Sequence, residues 1–183
     1  MSILDKAIAA VTPPESAEDR AQARRKAREL ATPGDWLSII IDHHERIEQA
    51  FASVKSANET SSRREAFKAL AILLNGHSAA EEAVIYPEMT EAGQKGHAAL
   101  AYEEQSMVKV QMALLETMEP MSQDFIDKLE HIEGAVAHHV YTEEKTWFPE
   151  LKESAPAGDQ SRLALRYREE FDRYAGADLL ATA

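Results

Sequence analysis

Apolar residues recur at i, i+3, i+4 and i+7 in four stretches of the chain, a period that predicts four amphipathic α-helices. Helix A places Leu37, Ile40, His44, Ile47, Phe51 and Val54 on one face. Helix B does the same with Phe67, Leu70, Leu74, His77, Glu81, Val84 and Ile85, and helix C with Ala98, Ala101, Gln105, Val108, Met112 and Leu115. Helix D gives Phe125, Leu129, Ile132, Val136, His139, Glu143 and Trp147. Polar residues interrupt every stripe near its middle. Burying an unpaired carboxylate is costly or forces it neutral, so interruptions converging at one level call for a shared partner. A metal pair is the simplest such partner.

Local signals bound these helices. Thr32-Pro33-Gly34-Asp35 reads as a start, with Thr32 as N-cap, Pro33 at the first helical position and Asp35 as an acid in the first turn. Helix A then runs to about Lys55. Ser62-Arg63-Arg64-Glu65 has the form of a capping box and opens helix B, which reaches about Thr90. Gly93 and Gly96 flank a short loop before helix C, from about His97 to Met118, which Pro120 ends. Ser122 is the expected N-cap of helix D, running to about Lys152. Pro87 and Pro149 are expected to bend or end their helices. Residues 15–31 and 158–175 predict two further helices. The chain thus divides into an N-terminal helical extension (1–34), the bundle (35–153) and a C-terminal helical extension (154–183). We read the extensions as packing against or capping the bundle, with oligomerisation through them as the alternative.

Composition narrows the function classes. The chain has 183 residues, enough for one domain with a real core, and its net charge of −12 disfavours nucleic acid as a partner. There is no cysteine, which excludes disulfides, thiolate-bound zinc and iron–sulfur clusters. No apolar run is long enough to span a bilayer, and the start lacks a signal-peptide pattern, so a cytoplasmic protein is expected. Phosphate-binding glycine loops and nucleophile arrangements are missing. Arg20, Arg24, Arg25, Lys26 and Arg28 form a local basic face, read as salt-bridging to the acidic bundle.

A twelve-residue pattern occurs twice, 62 positions apart. His77–Glu88 and His139–Glu150 both read H-x-x-x-E-E-x-x-x-(aromatic)-P-E. Residues i and i+4 share a helical face, so His77 with Glu81, and His139 with Glu143, can each aim an imidazole and a carboxylate at one spot. Two such helices facing each other supply the donors of a dinuclear metal site in a helix bundle. Glu82 and Glu144 point about 100° away and are read as solvated or as partners of a ligand histidine. Tyr86 and Phe148 are read as core. His43, His97, His131 and His138 lie off the stripes and are read as surface or packing residues, with His43, beside His44, the leading exception.

Asp42-His43-His44-Glu45-Arg46-Ile47, His77…Glu81-Glu82…Tyr86-Pro87 and His139…Glu143-Glu144…Phe148-Pro149 together resemble the hemerythrin-like HHE cation-binding family over roughly residues 35–153. The resemblance implies an all-α fold, an up-down-up-down antiparallel four-helix bundle, with the extra helices flanking it. It also implies a non-haem di-iron site with His44, His77, Glu81, His139 and Glu143 as ligands, the two glutamates bridging. One position departs. The family expects a helix-C histidine where this chain has Glu103-Glu104-Gln105. Gln105 could ligate weakly or hold a metal-bound water, Glu104 could swing in as a third carboxylate, or that ion could be weakly held or absent. A third carboxylate would further lower the net positive charge left by two ferrous ions and two bridging glutamates.

These residues supply about seven donors against roughly twelve for two six-coordinate irons. Open positions suit dioxygen, peroxide or nitric oxide. We therefore expect binding or sensing of a small oxidant more than reversible transport. The alternatives are a detoxifying di-iron enzyme or iron donor, and a structural bundle with a single zinc or manganese. An enzyme would want a proton donor near the open positions, and Tyr102, close to Gln105, is the phenol the sequence offers.

Overall fold

The computed structural model describes residues 15–176, and every regular element among them is helical. Helix α1 (Ala17–Leu30) opens with a reciprocal capping box between Ser16 and Asp19. Helix α2 (Trp36–Ser56) is capped by Asp35, whose carboxylate accepts from the Ser38 N–H. Thr32 is therefore not the cap. Its own N–H donates to Asp35, which closes the preceding turn with the aspartate as acceptor. Helix α3 (Thr60–Ala80) begins two residues before the expected Ser62, after Glu59 and without a side-chain cap. Ser62 lies within the first turn, where its hydroxyl donates back to the Glu59 carbonyl, so it is not the cap. Helix α5 spans Lys95–Glu116. Helix α6 (Gln123–Thr142) starts at the expected Ser122, which accepts from the Phe125 N–H.

Neither Pro87 nor Pro149 ends its helix. Residues Glu81–Ile85 and Glu143–Trp147 form two π-helical turns, followed directly by α4 (Tyr86–Glu91) and α7 (Phe148–Ser154). The Tyr86 N–H reaches the Glu81 carbonyl, and the Phe148 N–H reaches that of Glu143. This five-residue step widens the turn just ahead of a proline that has no N–H to donate. Each π turn opens on the glutamate of a repeat and closes on its aromatic residue.

Nearly all the expected stripe residues are buried, Val108 being only partly so. Helix α3 packs against α2 and against the C-terminal helix α8 (Ala157–Ala175), while α5 packs on α6 and α4. Helix α1 lies along the Glu143–Trp147 turn. Two of the basic residues expected to pair with the bundle do so, Arg24 with Glu48 and Glu144 and Arg28 with Asp42 and Glu45, whereas Arg20 pairs with Glu15 beside its own helix. Helix α8 buries Leu163, Ala164, Tyr167 and Phe171. On the outer face of α5, Leu100, Met107, Val110 and Leu114 are 45–64 % exposed. No helix among the described residues is long and apolar enough to cross a membrane.

Candidate metal centre

The two π turns and helices α2 and α3 bring His44, His77, Glu81 and Glu143 together, with one ligand atom from each lying within 4.8 Å of all the others. All four are buried. His44 Nε2 lies 3.4 Å from Glu143 Oε2 and 3.9 Å from Glu81 Oε1. His77 Nε2 is 3.2 Å from Glu81 Oε2, and His139 Nε2 is 3.2 Å from Glu143 Oε1. His44 Nε2, Glu81 Oε1 and Glu143 Oε2 are buried and have no hydrogen-bond partner. Leaving three such atoms unsatisfied is costly, and a cation between them would satisfy all three.

Each imidazole turns Nε2 inward because a partner engages Nδ1. Glu144 Oε1 lies 2.9 Å from His44 Nδ1, and Arg24 Nε donates back to Glu144 at 2.9 Å. Glu104 Oε2 lies 2.7 Å from His139 Nδ1. The Tyr167 hydroxyl lies 2.9 Å from His77 Nδ1 and also 2.9 Å from His43 Nδ1. Such outer partners fix ring orientation and tautomer in metal sites. Glu104, expected as a possible third carboxylate ligand, is thus engaged outside the cluster, orienting His139. Glu144 takes the histidine-partner role expected of the second glutamates, whereas Glu82 pairs with Lys109.

Gln105 does reach the interior. Its amide nitrogen donates to Glu81 Oε2 and to the Tyr86 hydroxyl, both at 2.6 Å. Tyr86 corrects the expectation that this residue is only core. Its hydroxyl lies 3.0 Å from Glu143 Oε1, 3.2 Å from Glu81 Oε2 and 3.2 Å from His139 Nε2. It stands where the donors of the His139 side converge. Tyr102, the phenol proposed from sequence, instead donates to the Glu82 carbonyl. The available signal was the difference between the repeats at their aromatic position, tyrosine in one and phenylalanine in the other. Phe148 packs on His44 and Trp36 and carries no hydroxyl.

The electrostatics are those of a site missing positive charge. Burial and the nearby Glu143 carboxylate raise Glu81 to about 8. Burial opposes protonation of His44, but the adjacent Glu143 and Glu144 carboxylates outweigh it and raise the ring to about 9. His139 is likewise raised against burial by Glu143 and Glu104, and Glu143 is held low by His139 and His44. Burial and the Glu143 and Glu81 carboxylates push the Tyr86 phenol well up. His43 is kept neutral by burial, then by Arg46 and His44, falling to about 3. Protons stand in here for a cation. The imidazole and carboxylate donors, with no sulfur, suit iron, manganese or zinc.

Residues 35–151 match the family described as the hemerythrin HHE cation binding domain. Over 130 residues the chain is 24 % identical to a protein of Nostoc sp. (strain PCC 7120) named DNA nickase. That similarity covers 71 % of this chain and 37 % of the other, so the chain spans little more than a third of that relative's length. No solved structure matches the chain.

Proposed function

The chain belongs to the hemerythrin HHE cation-binding family, and from that premise we propose a non-haem di-iron centre that binds or senses dioxygen or a related small oxidant, peroxide or nitric oxide. The observation that carries this reading is the convergence of three partnerless buried atoms, His44 Nε2, Glu81 Oε1 and Glu143 Oε2. His44 and His77 would hold one ion. His139 would hold the other, with Glu81 and Glu143 serving both. When bound, iron supplies the redox electrons and the open positions for the oxidant. Around it, the chain's residues exclude water, orient the imidazoles and hold a proton. That proton sits on the Tyr86 hydroxyl, within hydrogen-bond reach of the inner donors. A proton donor beside open ligand positions supports turnover or sensing over reversible carriage.

A second reading rests on one further observation. Three partnerless atoms meet at His44, while on the His139 side the donors are hydrogen-bonded through Tyr86 and the Gln105 amide nitrogen, leaving Gln105 Oε1 without a partner. That asymmetry favours a single ion of iron, zinc or manganese. The name of the Nostoc relative would bring DNA cleavage to this chain, but a net charge of −12 argues against binding a polyanion.

Elemental mass spectrometry on the wild type and on His44→Ala and Tyr86→Phe decides between these readings. We expect about two irons per chain, as in dinuclear bundle sites. His44→Ala should lose the ion on its side, and Tyr86→Phe should keep that ion and weaken the other. One ion per wild-type chain would select the mononuclear reading. Fully reversible dioxygen binding without autoxidation would overturn the preference for sensing.

A further inference from the structure

Helix α8 lies beyond the span shared with the family, yet it reaches a candidate ligand. Gly76, one residue before His77, makes the approach possible. A Cβ at Gly76 would come within 2.8 Å of Ala175 Cβ and 3.3 Å of the Phe171 ring. With only hydrogen there, α8 lies close against α3. The phenol of Tyr167 is then fully buried between His77 and His43, 2.9 Å from Nδ1 of each. His43 is itself buried, and its ring packs on Phe171 of α8 at a centroid distance of 4.1 Å.

A phenol has one proton to give, and a neutral imidazole carries one proton on one of its two nitrogens. The chain His77–Tyr167–His43 therefore has two polarities. In one, His77 keeps its proton on Nε2, facing Glu81 Oε2 at 3.2 Å. Tyr167 then donates to His77 Nδ1, and His43 Nδ1–H donates to Tyr167. In the other, His77 presents a bare Nε2 and carries its proton on Nδ1. That proton is donated to the Tyr167 oxygen, and Tyr167 donates to His43 Nδ1. A cation at Nε2 is compatible only with the second.

We propose that cation binding reverses this buried hydrogen-bond chain, making α8 part of the metal centre and carrying its occupancy to His43. The protons balance. His77 gives up its Nε2 proton and receives the phenol's at Nδ1. Tyr167 takes the one from His43 Nδ1, and His43 recovers one at Nε2. The proton leaving His77 Nε2 is released to solvent, the one arriving at His43 Nε2 is taken up from solvent, and no group in the chain changes charge. The inference rests on the reading of the site as cation-binding and gives the proposed sensor an internal output.

The test uses the full chain with zinc as a diamagnetic probe. Two-dimensional ¹⁵N–¹H spectra of the imidazole rings report which nitrogen of His43 and His77 carries the proton. Zinc should move the His77 proton from Nε2 to Nδ1 and the His43 proton from Nδ1 to Nε2. In Tyr167→Phe, which keeps the ring and removes the hydroxyl, His43 should no longer respond. Zinc affinity should also fall about 10- to 100-fold, as on loss of other outer partners of metal ligands. Gly76→Ala should weaken zinc too, although alanine is the better helix former. An unchanged His43 tautomer in the wild type, or an equal response in Tyr167→Phe, overturns the inference while leaving the site's cation binding intact. Failure of the wild type to bind zinc, iron or manganese overturns both.

Discussion

At the residue scale, three bases of the centre, Glu81, His44 and His139, are shifted toward their protonated forms, while Glu143 and His77 are shifted the other way. Glu81 is raised to about 8 and His44 to about 9, yet both must be unprotonated to act as ligands. Metal uptake at neutral pH should therefore release protons. Apparent affinity should rise with pH until the metal-free site deprotonates, near the upper end of that range. Calorimetric titrations with manganese in buffers of different ionisation enthalpy would measure the release, and a pH-independent affinity would contradict it. His77, Glu81, His139 and Glu143 were legible in the sequence because imidazoles and carboxylates set at a repeated i, i+4 spacing on apolar faces need a common buried partner, whereas His44 was a polar break in an apolar stripe whose role as a ligand came from the family resemblance. Tyr86 was masked because an aromatic side chain beside a proline reads equally well as packing. Tyr167 had no local signal at all, since its partners lie 90 and 124 positions away.

At the scale of elements, the long helices follow from apolar periodicity, and their ends do so less faithfully. Capping is decided by which residue stands at the first free N–H groups, and the helices start at Asp35 rather than Thr32 and at Glu59 rather than Ser62. The π turns could not be foreseen, because a proline signals a missing N–H but does not say whether the helix stops or widens around it. The amphipathic extensions were recognisable as helices, whereas the faces they cover depend on long-range packing. Helix α1 is tied in by Arg24, which is 17 % exposed on its side chain and holds a Glu144 side chain that is 0 % exposed. Arg24→Ala would leave that carboxylate with His44 alone. We expect a loss of about 3 kcal/mol, typical of breaking a buried pair from one side. A urea midpoint unchanged from the wild type would show that α1 merely overlies the bundle.

At the scale of the whole molecule, the chain combines a polar interior with an uncovered apolar stripe on α5. Leu100, Met107, Val110 and Leu114 stand in water on a protein whose charge of −12 keeps copies apart. That protection depends on pH. Near the sequence pI of about 5.0 the repulsion vanishes, and nothing remains to oppose contact between stripes. Light scattering should rise as purified protein is brought toward that pH, and Leu114→Glu with Met107→Glu should suppress the rise. Equal scattering by both proteins would assign the effect to charge neutralisation alone. The outer face of α5 thus makes colloidal behaviour a property of one helix, and acidification a condition under which this chain must be handled dilute.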